Sequence, residues 1–139
     1  MSHAFLLVAS AFAMVALTFL VGARLLYVRT REMKEKRVHP QAASTSVLMA
    51  AKLVNVQAAD NFRNLFEVPV LFYALVATAL ATSVTPDWLV AGAWVFVALR
   101  VAHSFIHCTY NKVMHRFPVF ALGLLVVVGL WAGLLLSLR

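Results

Sequence analysis

The chain has 139 residues, of which 63% are hydrophobic and only 12% are charged, and its mean hydropathy is +0.89. A soluble domain needs about a quarter charged residues to cover its surface, and a disordered chain is poor in apolar ones, so both classes are excluded and a single membrane-embedded domain is expected. The formal net charge of +7 comes from 12 Lys+Arg against 5 Asp+Glu, and where those charges sit decides between a nucleic acid and a membrane surface as the partner.

Residues 4–23 carry no charge, close to the roughly 20 apolar residues that cross a bilayer. They predict a first helix over 4–28. Met1-Ser2-His3 has no Lys or Arg, and basic residues follow the span, so a permanent helix is expected rather than a signal peptide. The stretch from Arg29 to Ala43 is charged and contains Pro40, which predicts a loop. Ser44, Thr45 and Ser46 offer N-caps for a second helix over 46–82 that starts in water and enters the membrane later. Pro69 removes one backbone hydrogen bond and predicts a kink near Glu67. Ser83-Val84-Thr85-Pro86-Asp87 is a short turn and makes the second and third helices an antiparallel hairpin. The third helix, 88–110, has an uncharged run only from Trp88 to Leu99, so it spans only with Arg100 inside the membrane. A charge at that depth is costly and is usually paired or functional. Thr109–Phe117 leads to a fourth helix over 117–138, with Pro118 in its first turn.

A β-barrel would show alternating segments of about ten residues, and the continuous Leu, Val and Ala runs do not alternate. The expected fold class is therefore an all-α integral membrane protein, a four-transmembrane-helix bundle in one domain, 1–139, without an internal repeat. The lone Cys108 excludes an internal disulfide and a Cys-based zinc cluster.

Arg29, Arg31, Lys34, Lys36, Arg37 and Lys52 lie in or beside the first loop. The second loop has no Lys or Arg, the third has Lys112 and Arg116, and the C-terminus has Arg139. The positive-inside rule then places both termini outside and the first and third loops in the cytoplasm. The basic residues form a collar at one membrane face, where anionic membrane lipids attract them; no nucleic-acid partner is expected.

Two polar stripes remain at membrane depth. Asp60, Arg63, Asn64 and Glu67 share one helical face, as do Arg100, His103, Ser104 and His107. Glu67 lies roughly 22 Å along its helix from Thr82, and Arg100 roughly 18 Å from Trp88, so both stripes sit in the cytoplasmic half. Arg24 and Arg116 reach the same level. The expectation is a convergent cavity open to the cytoplasm, and its surplus of Arg suits an anionic ligand gripped by guanidinium forks. The structural alternative is an ion-pair network, Glu67 with Arg100 or Arg63, that serves as glue between helices. His103, His107 and Glu67 have a spacing that permits a metal, but the neighbouring Arg residues repel a cation and no metal is expected. Cys108, at a helix end without a fixed base, reads as packing. Trp88, Trp94, Trp131, Tyr27 and Tyr110 read as interface anchors or lipid-facing bulk.

Arg63-Asn64-Leu65-Phe66-Glu67 followed by Pro69 resembles the second-helix motif of the MAPEG family, the membrane-associated proteins of eicosanoid and glutathione metabolism. Arg100-Val101-Ala102-His103 resembles that family's third-helix Arg-x-x-His, and Gly22-Ala23-Arg24 the end of its first helix. The resemblance covers nearly the whole chain and is to a bacterial-type member, which implies a bacterial inner membrane. It implies a homotrimer with glutathione bound between subunits near the cytoplasmic side. Glu67 would accept the α-amino group, and Asn64 and Arg63 would contact carboxylate or backbone. His103 would join the same shell, with Arg100 and His107 on its stripe, and Arg24 would lie near the ligand. Arg116 matches the catalytic arginine that stabilises the thiolate. The pattern departs at Asp60, where glutathione-binding members usually have a second Arg, at His107, where they often have Tyr, and at Phe120, where another ligand-contacting Tyr is expected. The implied function is a glutathione-dependent membrane transferase or peroxidase acting on lipophilic electrophiles or hydroperoxides. The alternative is a non-catalytic member that binds a lipid or other anionic amphiphile.

Overall fold

The structure, a computed structural model, describes residues 1–139, with the side chain of Ser46 outside the description. It is all helical, with no strand among the described residues. Helix α1 spans His3–Glu35, and the Ser2 side chain caps it by accepting from the Phe5 N–H. Its 33 residues make it about 50 Å long, well beyond a hydrocarbon core of about 30 Å. The expected end at 28 is too early. The charged turns continue the helix through i,i+4 pairs, Arg31 with Glu35 and Lys36 with Glu32, which favour helix rather than interrupt it.

The single helix expected over 46–82 is three. Helix α2 is Ser46–Lys52, capped by Thr45, whose hydroxyl accepts from the Leu48 N–H; the cap expected from the side chain of Ser46 lies outside the described residues. Helix α3 is Gln57–Asn64 and helix α4 is Val68–Ala81. The break before α3 has a distant cause. The Glu32 carboxylate accepts from the backbone N–H groups of Val54 at 2.7 Å and Asn55 at 3.1 Å, which turns them away from a helical ladder. The break after α3 follows from Pro69, buried near the start of α4. Proline has no N–H and its ring crowds the carbonyl four residues back, so the expected kink is a full interruption over 65–67. Together α3 and α4 still make one apolar crossing, Gln57–Ala81.

Ser83, in the left-handed region at φ 58, turns the chain into helix α5, Asp87–Cys108. Asn111, at φ 47, leads into helix α6, Val113–Ser137. This last helix begins before the expected 117, so Pro118 lies inside it rather than in its first turn. Among the described residues, four segments are thus long and apolar enough to cross a membrane.

Helix α5 packs against α1, α3 and α6. Phe96 on α5 stacks on Phe72 of α4, with centroids 4.6 Å apart, and Leu7, Met14, Leu89, Val127 and Leu134 fill the space around them. Phe5, Phe12, Phe19, Leu125 and Leu135 stand exposed on the outside, as residues facing lipid do. Trp131 is half-buried and its indole N–H donates to the Leu71 carbonyl at 3.1 Å, so it ties α6 to α4 rather than only anchoring at an interface.

Candidate functional site

The stripe on α5 is buried as a unit: Arg100, His103, Ser104 and His107 are each 3% exposed or less. The Arg100 guanidinium lies between the rings of Phe96 and Phe120, 5.1 Å from each centroid. Gly123 of α6 lets it fit, because a Cβ there would stand 3.0 Å from Arg100 Nη2. His103 meets Phe120 at 5.7 Å and His107 edge-on at 5.5 Å between ring centroids. Among the described residues, Arg100 Nε and Nη2, both His103 nitrogens and His107 Nδ1 are buried without a hydrogen-bond partner. Buried polar atoms are nearly always satisfied, so this cluster of open donors and acceptors is what a polar ligand or ordered water would complete.

Helix α3 does not turn its charged stripe toward α5 within the subunit. Its inward residues are Ala58 and Asn61, followed by Leu65. Asp60, Arg63 and Glu67 are exposed and Asn64 is half-buried. The ion-pair glue of Glu67 with Arg100 or Arg63 is not formed among the described residues. The link between α3 and α5 runs through Asn61 instead. Its side-chain amide donates to Cys108 Sγ and its carbonyl accepts from Ser104 Oγ, both at 3.4 Å. Asn61 is absent from the expected site, although it is the polar member of an otherwise apolar stripe at 58, 61, 65 and 68, a pattern visible in the sequence. Gly123 and Phe96 carry no comparable signal, since small and aromatic residues are common on any membrane helix.

Arg24 and Arg116 reach this level from the other two helices. Arg24 Nη2 donates to the Cys108 carbonyl at 2.6 Å, and Arg116 Nη1 donates to Asn111 Oδ1 at 2.6 Å. Around the orphaned atoms the charge is therefore mainly positive, with Asp60 and Glu67 on the outer side. Among the described residues, no three His, Cys, Asp or Glu side chains are grouped to hold a metal ion.

Beside this polar level lies an apolar cavity of about 640 Å³ between α1 and the α3–α4 break, lined by Phe19, Gly22, Leu26, Phe62, Phe66 and Tyr73. That volume is ordinary for a small-molecule site. Phe19, Leu26 and Phe66 are largely exposed, so the cavity opens on the outer face of the subunit. Its wall is continuous in sequence with the polar set: Gly22 is two residues from Arg24, and Phe62 and Phe66 flank Arg63 and Asn64.

A family model, described as MAPEG family, matches residues 4–136, nearly the whole chain. No curated protein and no solved structure matches.

Proposed function

The chain belongs to the MAPEG family and is an integral, multi-pass membrane protein, and from that premise we propose that it is a glutathione-dependent transferase or peroxidase acting on lipophilic electrophiles or hydroperoxides. The observation that carries this reading is the adjacency of two unlike compartments. Arg100, His103 and His107 are buried and unpartnered, and an apolar cavity of about 640 Å³ is lined by Gly22, Ala23, Phe62 and Phe66, the chain neighbours of Arg24 and Arg63. The donor set fits an anionic peptide, because guanidinium groups bind carboxylates in paired hydrogen bonds.

Glutathione supplies a thiol that, as thiolate, adds to an electrophilic carbon or reduces a hydroperoxide. In this reading Arg63 and Asn64 hold carboxylate or backbone groups and Glu67 accepts the amino group. Arg100, His103 and His107 provide the buried contacts, with Arg24 beside them. Arg116, braced by Asn111, acts as the catalytic residue: its positive charge favours the thiolate, which is the reactive form of a thiol. The apolar cavity receives the lipophilic partner from the bilayer and excludes water from it.

The exposed charges support assembly as a homotrimer. Glu67 lies about 22 Å along the α3–α4 crossing from Thr82, within the hydrocarbon thickness, where a charged side chain facing lipid is costly. A second copy covers Arg63 and Glu67 and closes the cavity. The collar of Lys and Arg supports a cytoplasmic position for this face, with both termini outside.

Asp60 favours a second reading, a non-catalytic member that binds a lipid or other anionic amphiphile. It stands exposed one turn before Arg63 and sets a carboxylate against one end of an anionic tripeptide. Phe120 adds to this, because it stacks on Arg100 and offers a ligand no hydroxyl. Calorimetric titration of glutathione into the purified protein in lipid nanodiscs separates the two. Heat at millimolar ligand that is lost in an Arg63→Ala, Glu67→Ala double variant supports the glutathione reading. No heat leaves the second reading, and heat unchanged in the double variant moves the ligand off these residues.

A further inference from the structure

A second cavity lies away from the site above, at the basic end of α1. It has a volume of about 430 Å³ and is lined by Met33, Lys34, Arg37, Val38, His39 and Pro40, with Thr30 above them. We propose that it binds a phosphate group, and that Lys34 and Arg37 are the cations that hold it.

The two carboxylates of this segment are both engaged: Glu35 with Arg31 at 2.7 Å, and Glu32 with Lys36 at 2.7 Å. Lys34 and Arg37 therefore have no acidic partner among the described residues, and both line the same cavity. His39 adds a donor. Its Nδ1 accepts from the Gln41 N–H at 3.3 Å, so in the neutral ring the proton sits on Nε2. Two cations and an imidazole N–H around one space suit the several acceptor oxygens of a phosphate.

The backbone places Arg37 deliberately. The Val38 N–H bonds the Met33 carbonyl at 2.9 Å and the Arg37 N–H bonds that of Lys34 at 3.2 Å, a Schellman closure of α1. Its left-handed position is normally glycine, yet Arg37 occupies it at φ 53. A side chain there strains the backbone. The same closure brings Met33 and Val38 together as an apolar floor, completed by Pro40. A floor of that kind beside a phosphate suits the glycerol end of a phospholipid, and Thr30 is only about 9 Å along α1 from Arg24.

The phosphate has two sources, an anionic lipid headgroup or a soluble phosphate ester. Binding of dioctanoyl phosphatidic acid, dioctanoyl phosphatidylcholine and glycerol 3-phosphate to the full-length protein in detergent is measured by native mass spectrometry. The wild type, a Lys34→Ala, Arg37→Gly double variant and a Lys52→Ala, Lys112→Ala control from the same collar are compared. The expected result is phosphatidic acid binding that is roughly thirtyfold weaker in the double variant, two cations' worth at a membrane surface, and unchanged in the control. Retention of glycerol 3-phosphate as well assigns the pocket to a soluble phosphate ester; retention of phosphatidic acid alone assigns it to lipid. Arg37→Gly relieves the backbone and is expected to melt no lower than the wild type, which separates lost binding from unfolding. Equal losses in the two variants, or no loss in either, overturn the proposal, because attraction would then belong to the basic collar as a whole.

Discussion

The Arg24 guanidinium donates to the backbone carbonyl of Cys108, 2.6 Å away and 84 residues further along the chain. At the other end of the same two helices, His3 Nδ1 donates to the Thr85 carbonyl at 2.7 Å and its Nε2 faces Asp87 at 2.9 Å. The interval from His3 to Arg24 equals that from Asp87 to Cys108. At about 1.5 Å per residue each is roughly 32 Å long, close to the hydrocarbon thickness of about 30 Å. Helices α1 and α5 thus run parallel and are pinned to one another at both membrane faces.

The two pins differ in worth. The outer one joins exposed side chains, Asp87 at 94% exposure, and surface pairs of that kind contribute about 0–1 kcal/mol. The inner one is exposed too, but it satisfies a carbonyl in the last turn of α5, which a helix leaves without an internal partner, and a hydrogen bond to a charged group contributes up to about 1.5–3 kcal/mol. Arg24→Ala is therefore expected to lower the melting temperature in detergent by several degrees and His3→Ala to leave it nearly unchanged. Equal shifts in the two variants would contradict this ranking.

Glycines on α6 offer a contrast within one helix. At Gly123 an added methyl would stand 3.0 Å from Arg100 Nη2 and 3.4 Å from Nε, whereas at Gly129 nothing lies within 4 Å. Gly123→Ala makes the guanidinium give by a few tenths of an ångström between the two rings that hold it, and overpacking typically costs about 1–3 kcal/mol. Gly129→Ala gains helix propensity, up to about 1 kcal/mol. Thermal melts should shift in opposite directions. A Gly123→Ala protein as stable as the wild type, with unaltered ligand binding, would show that Arg100 does not need this contact.

Arg100 itself tests whether the buried cluster exists for a ligand. A buried cation without a partner destabilises the fold it sits in, and replacing buried ionic groups with apolar ones of similar volume is often neutral or stabilising. Arg100→Met is expected to melt at or above the wild-type temperature and to lose binding of an anionic ligand. A fall of several degrees would mean instead that Arg100 has a protein partner in the assembled molecule and that its role is packing.

Much of this was legible in the residues, and the limits have physical causes. The four crossings follow from charge-free runs, and Arg100 had to lie at depth because Trp88–Leu99 is too short to span. The grouping of Arg100, His103, Ser104 and His107 on one buried face follows from their spacing alone. The facing of α3 did not follow. Asp60, Arg63 and Glu67 form as good a stripe as Ala58, Asn61 and Leu65, and nothing local says which one the subunit turns inward. Nor was the break at 53–56 legible, since Leu53-Val54-Asn55-Val56 contains no proline or glycine. Its cause, Glu32, lies on another helix.

That carboxylate gives the most local of these tests. Glu32 is 4% exposed and receives four donors on its two oxygens. Oε1 accepts from the Val54 N–H at 2.7 Å and pairs with Lys36 at 2.7 Å. Oε2 accepts from the Asn55 N–H and side-chain amide, both at 3.1 Å. Glu32→Gln keeps the shape but turns one acceptor into an NH₂ that faces donors. At least one backbone N–H then loses its partner, which costs about 1–3 kcal/mol when the group is buried. The effect is expected in the linker, because the donors to Glu32 are Lys36, Val54 and Asn55. Hydrogen exchange at the Val54 and Asn55 amides is expected to quicken by about tenfold or more, with α5 amides unchanged. Unaltered exchange at both positions would show that the linker is held by something other than Glu32, and that the division of α2 from α3 does not depend on this side chain.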